Sequence, residues 1–342
     1  MNPNMAYYAL ETKIVTKKGR ILNKADWHKY MESSSVEQLI DLFKSNDEMS
    51  KAFKEIQNNN LSREDLETVL MRFKTLEIEN LLHYFSGPYK EFIKTILMEA
   101  EIQDLSLIIR KIAKGEKLEY TGERFIHSKT YTNLNFDDLI TSSSIEQLHQ
   151  KLKGTPYYNV LSNFTKEDAT SREFHIEMKM YMTLYKMLLE KSEKLKKEDQ
   201  KAAKEVLGLK IDVLNIQWIF RAHNYYNLSP EEIFIYSLSG GKVLGYNRIK
   251  KLCYASLEEF KKLLKDYMKN DIFKDLNNAD INIVIDSYML NYLKKSNFNN
   301  IGKALSFIYM LSIIINDLTS IIEGIQYQIP KEKLMEYLAY KI

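Results

Sequence analysis

The side chains able to do chemistry in this chain lack, in sequence, the companions such chemistry needs. A phosphate-cradling loop presents the backbone N–H groups of a Gly-x4-Gly-Lys-Ser/Thr segment to its ligand. Leu238-Ser239-Gly240-Gly241-Lys242 has glycines and a lysine but no such segment beside it, so a turn is expected there. Six histidines are scattered (His28, His83, His127, His149, His175 and His223), no two at metal-ligand spacing on one helix, and Cys253 has no second cysteine. His223 falls on an apolar column with Ile112 and Ile325, the place of a core or rim histidine. There is no Gly-x-Ser-x-Gly elbow and no dinucleotide fingerprint. No catalytic, cofactor-binding or metal-binding residue is therefore assigned. The remaining candidates are Arg110 and Arg221, the polar ends of two equivalent apolar helices. They are expected either to contact a protein partner or to cap their own helix C-termini.

Composition narrows the classes further. With 11 Gly and 5 Pro in 342 residues, against average usage of ~7% and ~5%, long uninterrupted helices are expected. Lys and Arg number 49 against 46 Asp and Glu, a near balance that argues against a nucleic-acid binder. A lone cysteine excludes an intramolecular disulfide and fits a reducing compartment. Met1 to Glu11 has no basic flank followed by an apolar run, so no signal peptide is expected. The longest uncharged run, Ala304 to Asn316, is shorter than the ~20 residues of a membrane span, so a soluble or peripheral protein is expected.

Two ladders of similarity organise the chain. Ser33-Ser34-Ser35-Val36-Glu37-Gln38-Leu39 returns as Ser142-Ser143-Ser144-Ile145-Glu146-Gln147-Leu148, and more weakly as Ala255-Ser256-Leu257-Glu258-Glu259-Phe260. The serines lie 109 and 112 residues apart. Each copy is a helix start by its chemistry: a serine to accept from an orphan N–H, an acid for the positive end of the dipole, and apolar residues at helical spacing. In the second ladder Asp104 to Arg110 aligns with Asn215 to Arg221 and Asp317 to Glu323, at intervals of 111 and 102. Its apolar columns are Leu105, Ile216, Leu318; Ile108, Ile219, Ile321; and Ile109, Phe220, Ile322. Three modules follow, 1–115, 116–235 and 236–342, each opening on a Ser-Glu helix and closing on a long apolar one. A period near 110 argues for a closed three-module body, since solenoids repeat every ~20–50 residues.

Within that frame Met5 to Lys18 is expected to be a helix, with Tyr8, Leu10, Ile14 and Val15 apolar and Gly19 ending it. Asn23 to Met31 is a short helix. Ser62, with Asp65 as its capping-box partner, starts another. Tyr89 to Ala113 reads as one long helix stopped by Gly115. Lys114 to Asn135 is a linker, and Ser239-Gly240-Gly241 a second one. Ser171 to about Gly208 reads as a long helix or hairpin, its middle, Lys191 to Lys204, a solvated charged face. Leu209 to Asn224, apolar nearly all round, closes module two with Trp218 in the core. Ser229 caps a helix with Pro230 in its first turn, and Ile329-Pro330-Lys331-Glu332 repeats that arrangement. Ile281 to Ile285 is helical, and no strand is expected.

These features in their order resemble one family. Tyr7-Tyr8-Ala9-Leu10 to Trp27, the Ser-Val-Glu-Gln-Leu helix, Asp104 to Arg110, and Asn215 to Arg221 leading into Leu228-Ser229-Pro230-Glu231-Glu232 are similar to the C subunit of bacterial and archaeal V-type (A/V-type) ATPases, counterpart of the eukaryotic d subunit. The Gly-Gly before module three and Ile321-Ile322-Glu323-Gly324 to Ile329-Pro330 match as well; Gln217-Trp218 is bulkier than usual there. The resemblance spans essentially the whole chain. It implies an all-α funnel of three pseudo-threefold modules, peripheral to the cytoplasmic face of the membrane, seated on the proteolipid (c/K) rotor ring and receiving the central stalk subunits D and F. The implied role is mechanical and non-catalytic: passing rotation between ATP hydrolysis or synthesis and H+ or Na+ transport, with no cofactor. The alternative is a soluble all-helical scaffold for other protein partners.

Overall fold

A computed structural model of the chain describes residues 3–53, 61–119, 121–162, 173–226, 228–270, 273 and 280–341. The described residues are helical with no strand: α1 Pro3–Ile21, α2 Lys24–Glu32, α3 Val36–Ser45, α4 Ser50–Phe53, α5 Arg63–Leu82, α6 Gly87–Ile96, α7 Met98–Lys114, α8 Phe136–Leu139, α9 Ile145–Lys151, α10 Tyr158–Leu161, α11 Glu173–Ser192, α12 Lys197–Arg221, α13 Pro230–Ile235, α14 Tyr246–Tyr254, α15 Leu257–Met268, α16 Ile281–Lys295, α17 Ile301–Gln326 and α18 Lys331–Leu334.

The three opening serines act as their chemistry predicts. Ser35, Ser144 and Ser256 are the N-caps of α3, α9 and α15 and accept from the backbone N–H of Gln38, Gln147 and Glu259. In the first two copies the preceding serine's N–H also donates to the glutamine side chain, Ser34 to Gln38 and Ser143 to Gln147, both at 2.8 Å. Backbone N–H bonds and the capping serine hold the Glu37 and Glu146 carboxyls below their usual range. Ser62 with Asp65 and Ser229 with Glu232 form complete capping boxes. Pro330, by contrast, caps α18 with no side-chain bond, so the expected repeat of the Ser229 arrangement keeps its position but not its hydrogen bond.

Three helix boundaries differ from the sequence reading, each for a local reason. α1 runs through Gly19, which has open space around it and no positive φ; a solvated helical glycine costs under ~1 kcal/mol, too little to stop a helix held elsewhere. Leu10 and Ile14 are buried on that helix, while Tyr8 and Val15 face solvent. The helix expected from Tyr89 to Ala113 is divided at Leu97, whose N–H bonds three residues back to Lys94 and tightens the backbone between α6 and α7. Gly115 ends α7 in the left-handed region at φ 70. The expected division at Gly208 is absent: α12 starts at Lys197 and runs 25 residues to Arg221. Gly208 is there for close approach, since a Cβ would lie 3.0 Å from Lys242 N and 3.2 Å from Gly240 O. The expected start at Ser171 lies outside the described residues.

The closing helices α7, α12 and α17 are buried as their columns require; of the nine column residues only Phe220 is partly exposed. α17 is long and apolar enough to cross a membrane, which the uncharged run alone did not indicate. It lies in the protein core, in contact with α1, α3, α5, α12 and α16, and its window is 78% buried. α11 packs on α7 as well as on α12, α16 on α12 as well as on α17, and α5, two helices before α7, on α17. Buried Lys17 adds a tie that the sequence did not reveal, its ammonium 2.8 Å from Glu48 and 2.6 Å from Glu77. Burial pushes Glu48 up, but Lys17 and Lys51 hold it down to about 2.

Candidate functional site

The first turns of α12 and α17 come together with that of α6. At the meeting point is Asp199, in the first turn of α12. Its carboxylate accepts from Tyr89 OH of α6 at 2.7 Å and from the Ile301 N–H that opens α17 at 3.1 Å. One buried carboxylate thus holds the starts of three helices, and a charge-assisted bond of this kind is worth roughly twice a neutral one.

Further along, a chamber of about 210 Å³ opens between the helices. Glu99 and Gln103 of α7, Lys210 and Leu214 of α12, and Ser312 and Asn316 of α17 line it. These six are matched positions: they sit at the ladder intervals of 111 and 102, one helical turn apart on each helix. The neighbouring helices add Lys74 from α5, Glu177 and Tyr181 from α11, and Asp286 from α16. The lining is polar and balanced. Lys74 pairs with Glu99 at 3.1 Å, and Asn316 Nδ2 donates to Asp286 at 3.3 Å. Burial pulls the Lys210 ammonium down, against the attraction of Glu99 and Asp286, and pushes Asp286 up, against the attraction of Lys210.

Each closing helix also grips the chain that follows it. The Asp104 carboxylate accepts from Ile126 N–H at 3.0 Å and His127 N–H at 2.8 Å. Asp317 accepts from Ala339 and Tyr340 N–H, both at 2.8 Å. Asn215, at the same register, accepts from Leu238 N–H at 2.8 Å and donates to Leu238 O at 2.9 Å. Residue type follows from what is offered: two N–H groups need two acceptor oxygens, while an N–H beside a C=O needs an amide. One turn earlier Asp212 takes the Val243 and Leu244 N–H groups, and Lys242 N–H donates to Gly208 O. The Ser239-Gly240-Gly241 segment is therefore bolted along α12; a Cβ on Gly241 would fall 2.2 Å from Asp212 Oδ1. Likewise the stretch expected as a linker, Lys114 to Asn135, docks on α5 and α7, where Arg72 Nε donates to Phe125 O and Thr75 Oγ1 to Ile126 O.

The two arginines part company. Arg221 lines the chamber, its guanidinium 5.7 Å from the Phe174 ring and 5.8 Å from that of Tyr226, whose hydroxyl it bonds. Arg110 is exposed at the end of α7 and does not line the chamber. Trp218 is buried, edge-on to Tyr181. His223 is half-buried with Nε2 3.4 Å from Leu252 O, a rim histidine; His127 stacks on Phe136 and bonds Asp104. Among the described residues no group of three His, Cys, Asp or Glu side chains is placed to hold a metal ion. The lining positions Glu99, Gln103, Lys210, Ser312 and Asn316 went unread in the sequence, although the intervals of the second ladder, applied to polar positions, match them; the Asp199 junction had no such signal.

Comparison with known proteins agrees with this architecture. Residues 10–337 match the model of the ATP synthase (C/AC39) subunit family. The C subunit of the A-type ATP synthase of Archaeoglobus fulgidus is 23% identical over 336 residues, covering 96% of this chain and 94% of that protein. That of Methanosarcina mazei is 26% identical over 194 residues, 57% of this chain and about half, 52%, of its own length. That of Methanococcoides burtonii is 23% identical over 248 residues, 72% and 67% of the two chains. With its helical body and nearly its whole length accounted for by one family model, the chain belongs to the ATP synthase (C/AC39) subunit family.

Proposed function

We propose that this chain is the coupling subunit of an A/V-type rotary ATPase. It takes the foot of the central stalk, subunits D and F, at the chamber end and rests on the proteolipid rotor ring at the Asp199 end. It lies peripheral to the membrane on its cytoplasmic face and passes rotation between ATP chemistry and H+ or Na+ movement without catalysing either. The observation that carries this reading is the matched polar lining. Polar side chains at five of the six matched positions keep three largely buried helices from sealing against one another there, and of the five only Glu99 is buried, so their alignment on one chamber leaves a wet, polar surface for a partner. Three modules, 1–115, 116–235 and 236–342, related by a pseudo-threefold axis through the chamber, would place matched residues around it. The cyclic packing of α5, α11 and α16 on the closing helices supports that arrangement. Arg221 at the chamber and Arg110 at the end of α7 are the proposed stalk contacts.

The test is reconstitution of the complex with and without this chain, with hydrolysis and ion transport measured in the same vesicles. Without it the catalytic head should still hydrolyse ATP while transport stops. Persisting transport, or hydrolysis by the detached head that needs this chain, refutes the reading.

A further inference from the structure

The end of the molecule at Asp199 is rich in lysine. Residues 89–95 and 191–204, brought together where the α11–α12 turn meets the start of α6, hold eight lysines against four acids, a net +4 where the whole chain carries +3. Their proximity is direct: Lys191 Nζ donates to Thr95 Oγ1 at 2.7 Å and Lys196 N–H to Tyr89 OH at 3.3 Å. Asp199, one of the four acids, is buried and committed inward to Tyr89 and Ile301. Lys194, Lys196, Lys197 and Lys201 are exposed and form no ion pair among the described residues.

Two of these lysines open α12. Lys196 is the N-cap of α12 and makes no side-chain capping bond; Lys197 is the first helical residue. A cation there faces the positive end of the helix dipole, and a capping Ser, Asp or Asn would stabilise the helix instead. Side-chain caps are likewise missing at α6, α7, α10, α14 and α18, and Glu198 and Asp199 in the same turn answer the dipole, so it is the clustering of exposed lysines on one turn that points to a role outside folding. The amines are also splayed over an exposed turn, with no fork or pocket to shape an anion. That geometry suits a diffuse negative surface.

We propose that this lysine-rich turn rests on anionic lipid headgroups beside the rotor ring. The proposal deepens the coupling reading and rests on it for the direction this end faces: the chamber takes the stalk, so the opposite end looks to the membrane. Lysines near an anionic bilayer each strengthen attachment about fivefold, and the effect is screened by salt.

The experiment uses the full chain with vesicles of phosphatidylcholine alone and of phosphatidylcholine mixed with phosphatidylglycerol, in sedimentation at low and high salt. The chain should bind only the anionic vesicles, and release with salt. Joint substitution of Lys194, Lys196, Lys197 and Lys201 by Gln should weaken binding on the order of a hundredfold or more. Its thermal midpoint should be unchanged or higher, which separates lost attachment from lost fold. Joint Arg248, Lys250 and Lys251→Gln, on exposed α14 positions, should bind like the parent. Equal vesicle binding by parent and lysine variant, or none by the parent, overturns the proposal. Lysine-dependent binding only to lipid-free ring protein also overturns it and gives the turn a protein partner. None of these outcomes decides whether the chain couples transport to hydrolysis, which the reconstitution tests separately.

Discussion

The Ser-Glu helix starts and the gripping residues of the closing helices both occur three times, and both rest on one short side chain bonded to backbone. Burial separates them. Ser35, Ser144 and Ser256 sit on solvated turns, where water can replace the bond; Asp104, Asn215 and Asp317 are at most 2% exposed, where nothing else can. The exposed serines kept one chemistry in all three copies. The buried sites kept one job and changed atoms: carboxylates where two N–H groups arrive, an amide where an N–H and a C=O arrive. A buried site has to match what its partner offers group by group, whereas a solvated one has only to be no worse than water.

The largest effect tests whether the closing helix is core one turn beyond that grip. Trp218 is 5% exposed, so Trp218→Ala should cost about 3–5 kcal/mol in urea unfolding. An unchanged midpoint with weakened stalk binding would put its ring on the partner instead, since Trp218 also borders the chamber.

Next come the buried grips. Asp317→Ala strands the Ala339 and Tyr340 N–H groups, and at about 1–3 kcal/mol each the loss should approach that of the tryptophan. Measured above about pH 7, where the Asp317 carboxyl is ionised, Asp317→Asn keeps the shape but turns an NH2 toward one of those donors, and Asn215→Asp sets a carboxylate oxygen against Leu238 O. Each exchange should cost about 1–3 kcal/mol, several times its effect at a solvated site. If either is neutral by chemical denaturation, the matching of atom to partner is not what selects these residues.

Acidity provides a finer distinction between the two kinds of grip. Burial pushes Asp317 up to about 7 and Asp212 up to about 6, against the N–H bonds that pull both down. A carboxyl with a raised folded-state pKa keeps its proton after the unfolded chain has released it. Its contribution to folding is full below about pH 4 and declines as pH rises toward the folded value. Glu48, held down to about 2, acts the other way: its contribution is full above the ordinary carboxylate range and is lost as pH falls toward 2. Between about pH 4 and 7 the acids at 212 and 317 should therefore give stability a downward slope with pH. Asp317→Asn should shallow it, while Asn215→Ala, removing a group that does not titrate, should lower the curve without changing its slope.

Much of this architecture was legible before any coordinates. The apolar columns placed the closing helices because a buried helix repeats its apolar residues wherever its neighbours repeat. The capping serines were legible because a cap is decided within four residues. Long-range placement was not. Asp104, Asn215 and Asp317 stand first in the second ladder, yet what each bonds lies 22 or 23 residues on and shares no sequence pattern. Glycine misled for a related reason. Gly208 has the look of a helix end, but a glycine serves a close approach equally well, and only the crossing of residues 240–242 distinguishes the two. Of the two arginines chosen as repeated polar ends, Arg221 reached the chamber and Arg110 did not; matched register fixed the helix face, not the distance to the cavity.

The smallest effect belongs to the solvated caps. Ser144→Ala removes the acceptor for Gln147 N–H and should cost about 1 kcal/mol, the usual value of an N-cap. Ser35→Ala should match it, because the two caps are the same structure: each accepts at 3.2 Å, and each is backed by a glutamine that takes the preceding serine's N–H. Ser256 lacks that backing, since its third-position residue is Glu259 and among the described residues no bond returns from its side chain to the backbone before the cap. Gln147→Ala and Gln38→Ala should therefore each cost a few tenths of a kcal/mol, and Glu259→Ala less, apart from its charge at the helix start. The difference is small but can be measured as shifts in urea midpoint at fixed pH and high salt, where the dipole contribution is screened. Equal losses at all three third positions would mean that the glutamine adds nothing to the cap, and that the near-identity of the first two copies has another cause than helix stability.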